Sequence, residues 1–287
     1  MKALVAGAAG QLGRALQHTA PGNAAVLAPA ESSFDITDPE AVASTIADAR
    51  PDVLINAAAY TAVDRAEAEP EQAMLLNGTA PGLLAAAAAQ AGARFVHVST
   101  DFVFDGEQGR PYAPDAAPNP VGAYGRTKLA GERAVFAAHA APLLVRTAWV
   151  HAARGHNFVA TMLRLMAGRD EVRVVCDQLG TPTHATSLAR AIWALLARGA
   201  TGIFHWTDAG VASWYDFAVA IQEEALAAGL LGRAVPILPI RTEDYPTPAR
   251  RPACAVLDKS TTYALIGPAR HWRAELRDAL AERKALP

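Results

Sequence analysis

Tyr124 and Lys128 lie four residues apart in the run Asn-Pro-Val-Gly-Ala-Tyr-Gly-Arg-Thr-Lys at residues 119–128. On a helix that spacing puts both side chains on one face, nearly one turn apart. A phenol with a pKa of about 10 exchanges protons poorly at neutral pH, and a nearby ammonium stabilises the phenolate and lowers that value. Moving it by about three units takes roughly 4 kcal/mol of differential interaction. Only a partly desolvated cleft supplies that much. The chemistry implied is proton transfer at a substrate oxygen. Tyr and Lys also fall four apart by chance in many helices, so the pair takes its meaning from what stands beside it.

The first residues supply a partner for it. Residues 2–6, Lys-Ala-Leu-Val-Ala, read as a short buried strand, and Gly7, Gly10 and Gly13 follow with Gln11 and Leu12 between the last two. Residues 14–19 then carry helical apolar spacing. Strand, glycine-rich turn and helix are the order that sets a pyrophosphate on a helix N-terminus. Gly7 would allow the tight turn, Gly10 the approach of backbone to phosphate, and Gly13 the close packing of helix on sheet. The bland alternative is a flexible turn in an Ala/Gly-rich chain, which the flanking strand and helix disfavour.

The elements that position these residues follow an alternating pattern. Val26 and Leu27 suggest a second strand, and Asp38-Pro39-Glu40 a capped helix start with Val42 and Ile46 on its apolar face. Residues 52–56 read as a strand, 79–91 as a helix, 95–99 as a strand, 122–138 as a helix and 143–147 as a strand. Such alternation predicts an α/β fold with a doubly wound, Rossmann-type parallel sheet. Its ligands bind beyond the carboxyl ends of the strands, which brings Gly7, Asn56, Ser99 and Thr147 to one edge. The second half is less regular, with helices expected near 157–167, 187–198, 214–227 and 272–283, and β segments at 172–176, 202–205 and 235–240. It reads as a smaller α/β substrate lobe. The expected division is a cofactor domain at 1–150 and a substrate lobe at 151–287, with some exchange of chain between them. The loop 105–121, which carries four prolines, is long enough to suggest a functional role.

Composition removes other classes. Net charge is −2 over 287 residues, so no basic field draws nucleic acid or an anionic membrane. Residues 72–94 are uncharged up to the last, yet Asn77, Gly78, Pro81 and Gln90 interrupt any membrane span. Cys176 and Cys254 are the only cysteines, the eight histidines show no close metal spacing, and no metal is expected. A strand beginning at residue 2 leaves no room for a signal peptide. These features suit a cytoplasmic protein that is a monomer or a homodimer.

Ser99-Thr100-Asp101 ends a strand at the ligand edge, just before the helix that carries Tyr124 and Lys128. A hydroxyl from Thr100 or Ser99 would hold a substrate oxygen while Tyr124 transfers its proton. The arrangement suits hydride transfer to a carbonyl carbon with acid delivery to its oxygen. Here the chain resembles the extended short-chain dehydrogenase/reductase superfamily and, within it, the dTDP-4-dehydrorhamnose reductase family. The matching segments are the glycine turn, Phe-Asp-Ile-Thr-Asp at 34–38, Asn-Ala-Ala-Ala-Tyr-Thr at 56–61 and Ser-Thr-Asp-Phe-Val-Phe-Asp-Gly at 99–106. They continue through residues 119–128, Arg-Thr-Ala-Trp at 146–149, Asn157-Phe158, Asp-Gln-Leu-Gly-Thr-Pro-Thr at 177–183 and Arg-Arg-Pro at 250–252.

The resemblance implies reduction of the C4 ketone of dTDP-6-deoxy-L-lyxo-4-hexulose to dTDP-L-rhamnose with NAD(P)H. It makes Thr100, Tyr124 and Lys128 catalytic. Cofactor contacts fall on Gly7, Gly10, Gln11, Leu12, Gly13, Asp35, Ile36, Ala57, Ala58, Ala59 and Tyr60, with Tyr124 and Lys128 also touching the cofactor. Substrate contacts fall on Thr100, Asp101, Phe102, Phe104, Trp149, Asn157 and Arg251. Phe102 replaces the tyrosine usual in this family, and Ala15 stands near the place of a metal-bridging glutamate, so the family's metal-bridged dimer is not carried over. Trp149 would wall the sugar or pack in the core, Asn157 would bond substrate or cap a helix, and Arg251 would meet the dTDP pyrophosphate or face water. Arg14 would meet a 2′-phosphate or face water, and Glu31 sits late for a ribose hydroxyl, which favours NADPH slightly, with NADH also accepted. A related nucleotide-sugar epimerase or dehydratase shares the fold and the Tyr/Lys pair. A non-catalytic regulatory subunit of the methionine adenosyltransferase type is the other reading, against which the intact Thr100, Tyr124 and Lys128 argue.

Overall fold

The computed structural model describes residues 1–286. Its first half runs β1 (Lys2–Ala6), α1 (Gln11–His18), β2 (Ala25–Leu27), α2 (Pro39–Ala49) and β3 (Val53–Asn56). Two short helices, α3 (Arg65–Ala68) and α4 (Pro70–Met74), lead through a π-helical turn at Leu75–Thr79 into α5 (Ala80–Gln90). Then come β4 (Arg94–Thr100), α6 (Ala123–Ala138) and β5 (Leu143–Thr147). The second half holds β6 (Val150–His151), α7 (Phe158–Gly168), β7 (Val172–Val175), β8 (Leu179–Gly180), β9 (Thr183–His184) and α8 (Ala185–Ala197). It closes with β10 (Gly202–His205), β11 (Ala212–Ser213), α9 (Trp214–Ala227), β12 (Ile237–Ile240), α10 (Ser260–Ile266) and α11 (Trp272–Lys284).

Six strands pair in parallel in the order β10, β5, β4, β3, β1, β2. Successive side chains of a strand point to opposite faces, and here both faces are apolar, as a sheet covered on both sides requires. Leu4, Ala6, Leu54 and Phe95 meet Val42 and Ile46 of α2, Leu84 of α5 and Val135 of α6. Ala3, Val5, Val53, Ile55 and Val145 meet Leu12 and Leu16 of α1 and Leu188 and Ile192 of α8. The doubly wound α/β sheet is therefore the one its sequence pattern predicts. Asp38 caps α2 by accepting from the Glu40 N–H at 2.9 Å, with Pro39 in the first turn as expected.

From β1 the chain moves outward to β2, then crosses back to β3 on the other side of β1. The order reverses there, and in open parallel sheets such a switch point leaves a crevice beyond the strand ends. A second core forms from α7, α9, α11, β7 and β12 around Met166, Phe217, Ile221 and Leu276. Between its two parts the chain returns to the first core through α8 and β10. The short pairs β6–β9 and β8–β11, and the helices α3, α4 and α10, have no periodic signal in the sequence because each is at most seven residues long.

Arg146 on β5 and Glu132 on α6 form a buried ion pair with both guanidinium–carboxylate contacts made, at 2.9 and 2.7 Å. The same guanidinium donates to the Pro114 carbonyl at 3.1 Å and lies over the Phe104 ring. One side chain thus ties the sheet, the helix of Tyr124 and the proline-rich loop together. Removing one partner of a buried pair leaves the other uncompensated at a cost of about 3–5 kcal/mol. Glu132→Ala should therefore lower stability by that amount in urea unfolding, and a loss under about 1 kcal/mol would show that Arg146 finds other partners.

Candidate active site

The glycine turn sits at the switch point, and backbone contact decides its residues. Gly7 has φ +74°, a left-handed conformation that side chains disfavour, and a Cβ on it would lie 2.5 Å from the Ala58 nitrogen. A Cβ on Gly13 would lie 2.2 Å from the Gly7 carbonyl oxygen, so α1 reaches the turn only without a side chain there. Gly10 is exposed and caps α1 without a side chain, and the first turn of α1 carries no acidic residue. The helix N–H groups are left for an anion. Leu12 is buried in the core, so only its backbone faces outward.

Across the crevice, the Ala57 N–H donates to the Ala6 carbonyl at 3.0 Å and the Ala58 N–H to Asn56 Oδ1 at 3.1 Å. Residues 57–60 therefore run beside the glycine turn, Ala59 and Tyr60 included. Asp35 is exposed beyond β2, with its carboxylate held low by the Thr37 hydroxyl and N–H, while Ile36 is buried against the sheet. Arg14 folds its Nε onto the Ala9 carbonyl at 2.8 Å, at the exposed rim of the turn.

Two strands along, β4 ends at Thr100 and a single helical turn carries Asp101 and Phe102. Strand alternation settles which hydroxyl faces the cleft: Thr100 acts on the Tyr124 phenol, whereas Ser99 Oγ is buried without a partner among the described residues. Tyr124 meets Phe102 edge to face at 5.5 Å between ring centroids. Helix α6 comes this close because Gly125 follows Tyr124; a Cβ there would lie 2.2 Å from the Phe102 carbonyl oxygen. Phe102, in place of a tyrosine, keeps this apolar contact.

Burial dominates the protonation of the trio. It pushes Tyr124 up to about 12, with the Thr100 hydroxyl pulling down and Asp101 adding to the rise. It lowers Lys128 to about 8, with Glu132 opposing. Lys128 donates to the Val98 carbonyl at 2.7 Å and is not among the groups that shift Tyr124. The lowering of the phenol by Lys128 expected from their spacing is thus corrected. The ammonium is drawn back toward β4, and desolvation of the phenol prevails.

Three residues that position the site carry no motif of their own. Asn77, fully buried, accepts from the Tyr60 N–H at 2.9 Å, donates to the Tyr60 carbonyl at 3.0 Å and reaches Thr127 Oγ1 at 3.3 Å. It joins the loop after β3 to the helix of Tyr124. Glu67 accepts from the Ala123 N–H at 2.7 Å and so caps α6, whose N-cap Gly122 has no side chain. Glu69 accepts from the Tyr60 hydroxyl at 2.5 Å. A polar residue inside an apolar helical run was the only signal for Asn77.

Asp101, Phe102, Trp149, Gln178, Trp214 and Arg251 surround one narrow cleft. Trp149 sits at φ +47° between Gly180, where a Cβ would lie 2.6 Å from the indole, and Trp214, stacked on it at 3.5 Å with planes 6° apart. Trp149 therefore walls the cleft rather than filling the core. Trp214, unmarked in the sequence, opens α9 behind a Ser213/Asp216 capping box. Arg251 reaches Asp64 with both terminal nitrogens, at 3.1 and 2.8 Å, and Thr247 at 2.6 Å, so an anion there shares it with a carboxylate. Two expected substrate residues lie elsewhere. Phe104 is fully buried, stacked on Tyr112 at 4.2 Å beneath the Arg146 guanidinium, because the helical turn after β4 directs it into a small core with Val103, Leu129 and Leu257. Asn157 caps α7 through the Ala160 N–H at 2.9 Å and donates to Gln11 Oε1 at 2.8 Å, which joins the lobes and leaves it no substrate contact in this arrangement.

Known proteins share this arrangement. The RmlD substrate binding domain family matches residues 1–285. A dTDP-4-dehydrorhamnose reductase of Burkholderia thailandensis is 46% identical over 278 residues, covering 93% of each chain. The crystal structure of a dTDP-4-dehydrorhamnose reductase from Clostridium acetobutylicum superposes with a TM-score of 0.94 at 40% identity, covering 99% of this chain and 100% of that one. A Bacillus anthracis dTDP-4-dehydrorhamnose reductase in complex with NADP gives a TM-score of 0.91 at 32% identity, with 98% and 99% covered.

The indole stack is open to direct measurement. Two indoles face to face couple their transitions, so Trp214→Ala should abolish an exciton couplet in circular dichroism. It should also cost about 0.5–1.5 kcal/mol for the ring pairing, beyond the area exposed. A couplet that survives the substitution would place its origin in another tryptophan pair.

Proposed function

The chain belongs to the RmlD substrate binding domain family and, within it, to the dTDP-4-dehydrorhamnose reductases; from that premise we propose that it reduces the C4 ketone of dTDP-6-deoxy-L-lyxo-4-hexulose to dTDP-L-rhamnose. NADPH is its cofactor, with NADH also accepted, and when bound it supplies the hydride. The observation that carries the reading is that Thr100, at the end of β4, and Tyr124, packed edge to face on Phe102 just beyond it, lie on the strand-end edge that holds the glycine turn.

The residues fit that cofactor. Gly7 and Gly13 let the turn and α1 pack on bare backbone, and the N-terminus of α1, which has no side-chain cap, suits a pyrophosphate. Gln11 and residues 57–60 line the path from it toward Tyr124. Arg14 at the rim suits the 2′-phosphate that distinguishes NADPH.

Thr100 holds the ketone oxygen and Tyr124 delivers the proton to it. A phenol at about 12 keeps that proton throughout the neutral range, as a general acid in the reducing direction must. Lys128, at about 8, is still mostly charged at pH 7 and stands one turn along α6 for the phenolate that donation leaves. Trp149 and Trp214 offer an aromatic wall to the deoxysugar, Phe102 an apolar edge, and Arg251 the N–H groups that Asp64 leaves over to the nucleotide's phosphates. We read residues 1–150, completed by α8 and β10, as the cofactor lobe and the rest of 151–287 as the substrate lobe. The reading takes the protein as a monomer or a homodimer and places it in the cytoplasm.

The test is oxidation of NADPH and of NADH with the dTDP-4-keto-6-deoxyhexose; no stoichiometric turnover with either would remove the assignment. Tyr124→Phe should lower kcat by about two orders of magnitude or more, the general-acid contribution, while cofactor still binds. Gly7→Ala should instead weaken NADPH binding at least about tenfold in a fluorescence titration, or about 1.4 kcal/mol. Unaltered binding would show that the turn is not the cofactor's cradle.

A further inference from the structure

Thr100 has one proton to give and two lone pairs to accept with. The Phe102 N–H donates into one lone pair at 3.2 Å. The proton itself goes to Asp101 Oδ1 at 2.9 Å. In this arrangement Thr100 has nothing left to donate to a ketone oxygen, although holding that oxygen is its role in the proposed reaction. The conflict is local, because Thr100 and Asp101 are both buried and the Thr100 hydroxyl is held on the adjacent carboxylate.

We propose that Asp101 is a positioning residue whose neutral form arms Thr100. The protonated carboxyl donates its O–H to the second lone pair of Thr100 Oγ1, and the threonine proton turns outward to the substrate oxygen. The ionised carboxylate takes that proton back and disarms the hydroxyl. No proton is consumed, since Tyr124 still supplies the one that ends on the product. The inference rests on the reading of Thr100 as the group that holds the ketone.

Asp101 is suited to the switch. Burial pushes it up to about 7, against the Thr100 hydroxyl and the backbone N–H groups of Asp101 and Phe102, which favour the charged form. Tyr124 of α6 feels its charge and Arg251 of the C-terminal segment lines the same cleft, while the elements that carry Thr100 and Tyr124, with the neighbouring β5, also hold Lys128, His97 and Arg146. Tyr124 stays neutral, and burial holds His97 well below its ordinary value and so uncharged. Arg146 is closed onto Glu132 and Arg251 onto Asp64. Of these groups only Lys128, at about 8, titrates in the working range. The sign follows directly. The raised value makes the neutral, armed form prevail below pH 7, and it is lost as pH rises through that value.

The experiment is the pH profile of kcat/KM between pH 6 and 7.5 for the wild type and for Asp101→Asn. Titration of one group near 7 lowers the wild-type value about fourfold over that range. The carboxamide does not titrate, so the variant should fall by less than about 1.5-fold, from Lys128 alone. A variant that keeps the fourfold fall overturns the proposal and leaves the parent reading standing. No turnover by the wild type at any pH removes both. Should the variant fold poorly, a direct carbon-13 titration of the Asp101 carboxyl in the wild-type chain decides the matter. A midpoint near 7 is expected, and one below about 5 overturns the proposal.

Discussion

Gly7 turns through φ +74° because the Ala57–Ala58 backbone occupies the space where its side chain would be, and Gly13 lets α1 press onto the Gly7 carbonyl. The same contact of bare backbone recurs at Gly125 against Phe102 and at Gly131, where a Cβ would lie 2.0 Å from the Asn77 carbonyl oxygen. The site depends on these approaches. A helix held off by one methyl group would move its N-terminus, or its tyrosine, by more than a hydrogen bond tolerates. Close packing transmits such shifts rather than absorbing them.

Given those approaches, burial sets the chemistry. Tyr124, Lys128 and Asp101 each move toward the neutral form, the phenol and carboxyl upward and the ammonium downward, which is the direction desolvation gives. A reductase site gains from this, since its acid has to carry a proton at neutral pH. Beneath the site, Arg146 and Glu132 are matched to each other with both contacts made. They hold α6 on β5 without placing a net charge in the cleft.

The second lobe contributes rigidity where the substrate would lie. Trp149 takes a left-handed backbone conformation that bulky residues rarely adopt, and it is held there by Gly180 on one face and Trp214 on the other. Asn157 bonds the start of α7 to Gln11 in the glycine turn, so the two lobes meet at the point where the dinucleotide is proposed to bind. The substrate wall and the cofactor cradle are thereby fixed relative to one another.

Much of this was legible in the chain itself. Strand and helix periods gave the doubly wound sheet, since a buried parallel strand must be apolar on both faces, and the glycine spacing marked the turn because no other residue meets its backbone contacts. Tyr124 and Lys128 were visible from helical geometry, which is local. Their protonation was not, because it depends on burial that only the packed α6 and β4 create, and that burial prevailed over the lowering expected from Lys128. The sequence showed Phe104, Asn157 and Arg251 as residue types able to touch a substrate, but tertiary contacts turned one into the core, tied one to Gln11 and paired one with Asp64. Asn77, Glu67 and Trp214 showed no motif, since each acts across 17 to 65 residues of chain on a partner that only the fold brings near. Residue type and local period are properties of the sequence; which side chain faces which, and in what dielectric, was decided by the tertiary structure.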